Sequence, residues 1–224
     1  MILKCNSAFC QIPEKLTDKH FLDAGYGIGQ TNWYSSMSNS QLYDKQGTII
    51  KSGDIKLKAK NSTSLFHFDV SFPVARVRAG FGMCFEQIYL DKITVKSATG
   101  NGDNYIVFNE TFTFEKLYVL LEVPFKPESV NKLSFSAKGN LGYFNYSGIQ
   151  SLNFFGGDGV AQTFFMTVGI MGNLRIYPRL YAYLYPNFEY MDFKNANSSN
   201  NGQVNHKIIT TAITGGIRFD VSAE

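Results

Sequence analysis

Hydrophobic residues recur at every second position through most of this chain, the period of a β-strand whose two faces meet different surroundings. Lys207 to Val221 shows it best. Ile209, Thr211, Ile213, Gly215, Ile217, Phe219 and Val221 fall on one face, and Thr210, Ala212, Thr214, Gly216, Arg218 and Asp220 on the other. The same alternation predicts a strand over 21–34, with Leu22, Ala24, Tyr26 and Ile28 against Asp23, Gly25, Gly27, Gly29 and Thr31. The three glycines are no phosphate loop, because the strand continues where a dinucleotide fingerprint needs a turn into a helix. They read as an inner stripe that leaves room for large side chains across a lumen.

Six further strands follow. The second, 64–74, sets Phe66, Phe68, Val70, Phe72 and Val74 against Leu65, His67, Asp69 and Ser71, and reverses tightly near Ala75 and Arg76. The third, 78–90, sets Phe81, Met83, Phe85 and Tyr89 against Arg78, Gly80, Gly82, Cys84 and Glu86. The fourth, 113–125, sets Leu117, Val119, Leu121 and Val123 against Lys116, Tyr118, Leu120 and Glu122, and a short turn at 126–130 leads on. The fifth, 133–143, sets Leu133, Phe135 and Leu141 against Ser136, Lys138 and Asn140; the sixth, 163–176, sets Phe164, Met166, Val168 and Ile170 against Thr167, Asn173 and Arg175. A tight turn at Tyr177-Pro178 precedes the seventh, where Leu180, Ala182, Leu184 and Phe188 alternate with Tyr181, Tyr183 and Tyr185. The leucines are placed outward, although a leucine row and a tyrosine row leave the facing open, and Pro186 suggests a bulge. Between the strands, residues 35–62, the turn cluster 99–104, residues 145–160 with Gly156-Gly157-Asp158-Gly159, and residues 194–205 read as four long polar loops.

Composition fits this layout. A chain of 224 residues makes one domain of ordinary size for an all-β barrel, taken as 19–224, with 1–18 read as an N-terminal remnant of an export signal. Aromatics are 15% of residues and prolines number 6, which suits many strands with aromatic girdles. Mean hydropathy is −0.12 and no long apolar run occurs, as expected of strands greasy on one face only. The net charge of +3 comes from scattered lysines and arginines, which excludes the basic footprint of a nucleic-acid binder. Cys5, Cys10 and Cys84 form no ligand spacing with His20, His67 and His206, so neither a metal nor any other cofactor is expected.

The period alone fits two closed barrels. A soluble barrel of the lipocalin kind buries its apolar face around a ligand, whereas a membrane barrel turns that face to lipid. The polar face carries Asp23, Arg78, Glu86, Lys116, Glu122, Lys138, Arg175 and Arg218 among small glycines, and the other face is nearly free of charge around the ring. That distribution favours the membrane. Phe66, Phe68, Val70, Phe81, Phe85, Leu117, Val119, Leu121, Phe135, Ile213 and Ile217 are then expected to face lipid. The inward charges are expected to close the lumen as one hydrogen-bonded network, since an unpaired ion there would be too costly. Counting back from a turn near Asn101 places Glu86 opposite Lys116 and Gly80 opposite Glu122, with Arg78 diagonal to that glutamate; at the seam Asp23 lies beside Arg218.

From Phe21 to Val221 the chain resembles the eight-stranded outer-membrane β-barrels related to the OmpA and OmpX barrels, most of all the porin-like barrels of Bacteroidetes. Two short motifs carry this. Thr214, Gly216, Phe219 and Val221 fit the terminal signature read by the barrel-assembly machinery, and Leu121-Glu122-Val123-Pro124 fits a Leu-Glu-x-Pro segment frequent in the fourth strand of such proteins. Ser222 to Glu224 depart from the pattern by following the terminal hydrophobic pair. The resemblance implies an all-β, eight-stranded antiparallel up-and-down transmembrane barrel with four long extracellular loops and short periplasmic turns. It implies a bacterial outer membrane as location, and as partners the lipid bilayer, the assembly machinery and other outer-membrane proteins in a complex.

For function, the loops suit a non-enzymatic anchor or scaffold that contacts a ligand or partner protein. A membrane-embedded hydrolase or acyltransferase would draw on Ser64, His67, Asp69 and His206, but Ser64 and His67, three apart on a strand, face opposite sides. A narrow pore is disfavoured because eight strands enclose a space that side chains fill.

Overall fold

The computed structural model describes residues 19–43, 49–95, 104–125, 132–147, 160–196 and 203–222. They form eight strands: β1 (Phe21–Tyr43), β2 (Ile49–Val74), β3 (Val77–Val95), β4 (Asn104–Pro124), β5 (Leu133–Ser147), β6 (Val160–Tyr177), β7 (Leu180–Ala196) and β8 (Gln203–Asp220). Each pairs antiparallel with its sequence neighbours, and β8 pairs with β1 to close the ring. The seam is tied at its end by the Val221 N–H, which donates to the His20 carbonyl at 2.8 Å. The export-signal reading of 1–18, the turn 126–130 and the tips of the four loops lie outside the described residues.

Alternation sorts the side chains as the two faces require. Leu117, Val119, Ile28 and Phe81 are more than half exposed on the outer wall, and all eleven residues expected to face lipid point outward. Asp23, Arg78, Glu86, Lys116, Glu122, Lys138 and Arg218 are buried at 1% exposure or less inside the ring. The tyrosine row of β7 also faces in, with Tyr181, Tyr183 and Tyr185 buried and Leu184 outward. Turns at Ala75-Arg76 and Pro178-Arg179 mark one end of the barrel, and Ala75 there takes a φ of 55°.

Four expectations need correction. Residues 35–62 are not one loop, because β1 and β2 pair from Phe21↔Ser71 out to Tyr43↔Ile49. A membrane-spanning strand needs only about 9–11 residues in hydrocarbon, whereas β2 has 26, so this hairpin runs well past the apolar belt. Beyond the belt the faces exchange chemistry: Trp33, Met37, Ile55, Leu57 and Ala59 point inward and Ser36, Lys56, Lys58 and Lys60 outward, as in a soluble barrel. The loops expected at 145–160 and 194–205 shrink likewise, since β5 reaches Ser147, β7 reaches Ala196 and β8 starts at Gln203.

The β3–β4 register also differs from the count. Glu122 pairs with Arg78, Leu120 with Gly80, and Lys116 with Cys84 rather than with Glu86. The strands meet as Val95↔Asn104 and slip once between Leu90 and Lys92, so counting from Asn101 overshoots. Pro186 makes no bulge: Gly169↔Asn187 and Gly172↔Leu184 keep one register on both sides of it, and it pairs with Ile213 on β8 without a shift. The missing N–H interrupts the β6–β7 ladder locally instead. Arg175 lies outside the lumen, exposed at the tight-turn end, and donates to the Pro178 carbonyl at 3.2 Å.

Candidate functional site

The lumen is filled in tiers. At the tight-turn end Arg218, on β8, donates from Nε and Nη2 to both oxygens of Asp23 on β1, each at 2.8 Å. Its Nη1 and Nη2 also reach Glu122 on β4, at 3.0 and 2.7 Å, and Ser136 donates to the same carboxylate at 2.7 Å. Arg78, paired across the ladder with Glu122, lies with its guanidinium 4.7 Å from the centre of the Phe21 ring, while that of Arg218 lies 4.8 Å from the same ring. Both cations lie within cation–π distance of the one ring, whose π-density attracts each.

Lys138 governs the next tier. Its ammonium donates to Asp69 at 2.6 Å and lies 3.6 Å from Asp23, and Tyr118 donates to the other Asp69 oxygen at 2.5 Å. His67 stacks on Tyr183 and shares a hydrogen bond of 2.6 Å with its hydroxyl. Tyr183 fits because Gly25 and Gly216 face each other across the seam. A Cβ on either would run into the tyrosine hydroxyl.

Lys116 comes next, held between Glu86 and Glu189, the latter at 2.5 Å. Thr63 donates to Glu86 at 2.8 Å and Thr167 to Glu189 at 3.2 Å. Between His67 and Glu189 the cavity is about 20 Å³, room for roughly one water. Toward the loop end the filling turns aromatic: Trp33 meets Phe112, Phe114 and Phe193 edge to face, and Phe144 packs on Phe114 and Phe193.

In these tiers four cations, Arg78, Lys116, Lys138 and Arg218, meet five carboxylates, Asp23, Asp69, Glu86, Glu122 and Glu189. Each of Lys116, Lys138 and Arg218 therefore bridges two carboxylates, which joins the strands across the lumen instead of only along neighbouring ladders. Of the expected network residues, seven occupy the lumen and Arg175 does not. Asp69 and Glu189 belong to it too. Asp69 shares the inner face of β2 with His67, and Glu189 is legible from its parity with Tyr181, Tyr183 and Tyr185.

Ser64, His67, Asp69 and His206 do not assemble. Ser64 lies on the outward face opposite to that of His67, whose Nε2 is 3.8 Å from Asp69. His206 sits in the aromatic tier, its Nδ1 accepting the Trp33 indole N–H at 3.1 Å and lying 2.7 Å from Ser35 Oγ. No group of acidic, histidine and cysteine side chains able to hold a metal occurs among the described residues. Of the terminal signature, Thr214 and Gly216 face the lumen while Phe219 and Val221 are exposed on the outer wall.

No family model matches the chain, and no curated protein is similar to it. Solved structures are. The outer membrane protein OprG of Pseudomonas aeruginosa aligns over 95% of this chain and 99% of its own, with 11% identity and a TM-score of 0.50. The chain has the fold of a bacterial outer-membrane β-barrel. The outer membrane protease OmpT of Escherichia coli, at 8% identity, 91% and 97% coverage and TM-score 0.44, and Neisserial surface protein A, at 12%, 88% and 97% coverage and 0.40, are more distant in shape.

Proposed function

We propose that this chain is an integral, non-enzymatic anchor of the bacterial outer membrane that carries its loop-end surface as a rigid platform for a ligand or partner protein. One observation supports it most: the lumen is filled from the Arg218 tier to the Trp33 tier, and the strands continue past the lipid belt around an apolar core. A sealed lumen suits no diffusion path, and Lys116, Lys138 and Arg218 within it each engage two carboxylates. Ser35, which shares a hydrogen bond with the His206 imidazole, is buried in the aromatic tier. The protruding wall holds whatever the tips present at fixed spacing. The assembly machinery, acting through Thr214, Gly216, Phe219 and Val221, and a larger outer-membrane complex belong to this reading as partners.

Planar-bilayer recording on the reconstituted chain is the test. Baseline current is expected, with no steady conducting level, and a stable large conductance would refute a sealed anchor. Co-purification from gently solubilised membranes would then separate a free-standing barrel from a subunit of a complex.

A further inference from the structure

We propose that the outer wall of β8, β1, β2 and β3 carries a binding site for a phosphorylated glycolipid headgroup at the surface of the outer leaflet. The inference rests on the membrane-spanning reading above. On β2, Lys56, Lys58 and Lys60 occupy consecutive outward positions, all exposed. Their outward partners on β1 are Ser36, Tyr34 and Asn32, none of them acidic. Successive outward residues of one strand stand about 6–7 Å apart, so three ammonium groups in column repel one another with no counter-charge across that ladder. Lys207 on β8 joins from the other side of Tyr34, which both Lys58 and Lys207 flank in register. The acids of this wall are Asp192 opposite Lys207, where it also accepts the Tyr190 hydroxyl at 2.9 Å, Asp54 two residues beyond Lys56, and Asp91, exposed on β3 beside Lys92 where the β2–β3 ladder slips near Lys60; the lysines Lys56, Lys58, Lys60, Lys92 and Lys207 outnumber them.

The lysines stand where the apolar wall ends. Ile28, Phe66 and Ile213 are the last large apolar residues on β1, β2 and β8 before the first polar outward positions, Gln30, Ser64 and Thr211, with Ile209 following between Thr211 and Lys207. Between the two lies a trough of about 1010 Å³ that crosses several strands, lined by the polar Gln30, Ser62, Ser64, Gln87, Thr111 and Thr211 and by the apolar Ile28, Tyr89, Pro186 and Ile213. Hydroxyl and amide side chains there can exchange hydrogen bonds with sugar hydroxyls, acyl chains would run down the apolar wall, and phosphates would meet the lysine column. Position therefore matches the three chemistries of one amphiphile in order. Beyond the trough, the described outward residues Thr113 and Glu115 of β4 and Tyr143 and Asn145 of β5 include no lysine, whereas Lys92 of β3 and Lys194 of β7 are exposed at this end.

The test uses the full chain in phosphatidylcholine nanodiscs doped with lipid A or, separately, with phosphatidylglycerol, and counts co-isolated lipid by mass spectrometry. Wild type is expected to retain lipid A over phosphatidylcholine by about tenfold or more. The triple variant Lys56→Gln, Lys58→Gln, Lys60→Gln should bring retention near parity while keeping the urea midpoint of wild type, and Lys132→Gln, exposed at the opposite end, should change nothing. Undiminished retention by the triple variant would overturn the site. Phosphatidylglycerol held as firmly as lipid A would overturn the glycolipid assignment. Insertion into plain phosphatidylcholine separates the two levels: a chain that inserts but retains no lipid A defeats this inference alone, whereas one that does not insert defeats the membrane reading beneath it.

Discussion

Arg218 shows what a single buried charge does here. It makes four hydrogen bonds to two carboxylates contributed by β1 and β4, and at 1% exposure it has almost no solvent contact to replace them. Removing one partner of a buried pair costs about 3–5 kcal/mol, because the remaining charge stays behind in low dielectric. Arg218→Gln should therefore lower the stability of the vesicle-inserted barrel by that order in urea titration. Arg175→Gln, exposed and bound only to the Pro178 carbonyl, should move it by less than about 0.5 kcal/mol. Equal effects of the two would deny Arg218 its place in the network. Both arginines were expected in the lumen by parity, and parity is indifferent to where along the barrel a residue sits. Arg175 lies two residues from the end of β6, where a long side chain reaches water more cheaply than a partner.

An element carries more than one environment along its length. On β8 the apolar positions face lipid, so Ile213→Asp should cost on the order of 1–4 kcal/mol of barrel stability by setting a carboxylate against hydrocarbon. Urea titration in vesicles measures it, and unchanged folding would remove Ile213 from the lipid face. On β1 and β2 the rule inverts past the belt, where Ile55 and Leu57 are the buried residues and Lys56 and Lys58 the exposed ones. Both halves of β2 alternate with period two, but the apolar parity passes from even to odd numbers. The polar composition of 35–62 therefore looked like a loop, although its minority of apolar residues kept strand spacing.

At the scale of the whole molecule, the one tryptophan of the chain reports on closure. Trp33 is 4% exposed and packed against Phe112, Phe114, Phe193 and His206, from strands on several sides of the ring. Its emission should be blue-shifted in the folded barrel and resistant both to aqueous acrylamide and to acyl-chain quenchers, and should become quenchable in urea together with loss of the barrel. Quenching of the folded protein from the lipid side would turn β1 inside out.

The sequence by itself determined the strands that cross the belt, the lipid-facing side of all but β7, and seven of the charges carried inward, because a period of two with charge concentrated on one face divides the two sides; it left the β7 rows open, set Arg175 inside and left Asp69 and Glu189 out of the network. It could not determine partners across the lumen. Lys116 reaches Glu189 from β4 to β7, and Arg218 reaches Glu122 from β8 to β4, between strands that share no ladder. Such pairs depend on the stagger of all eight strands and on single slips like that between Leu90 and Lys92. A slip moves every later pairing by one while leaving each local pattern untouched, so only closure of the ring decided which charges meet.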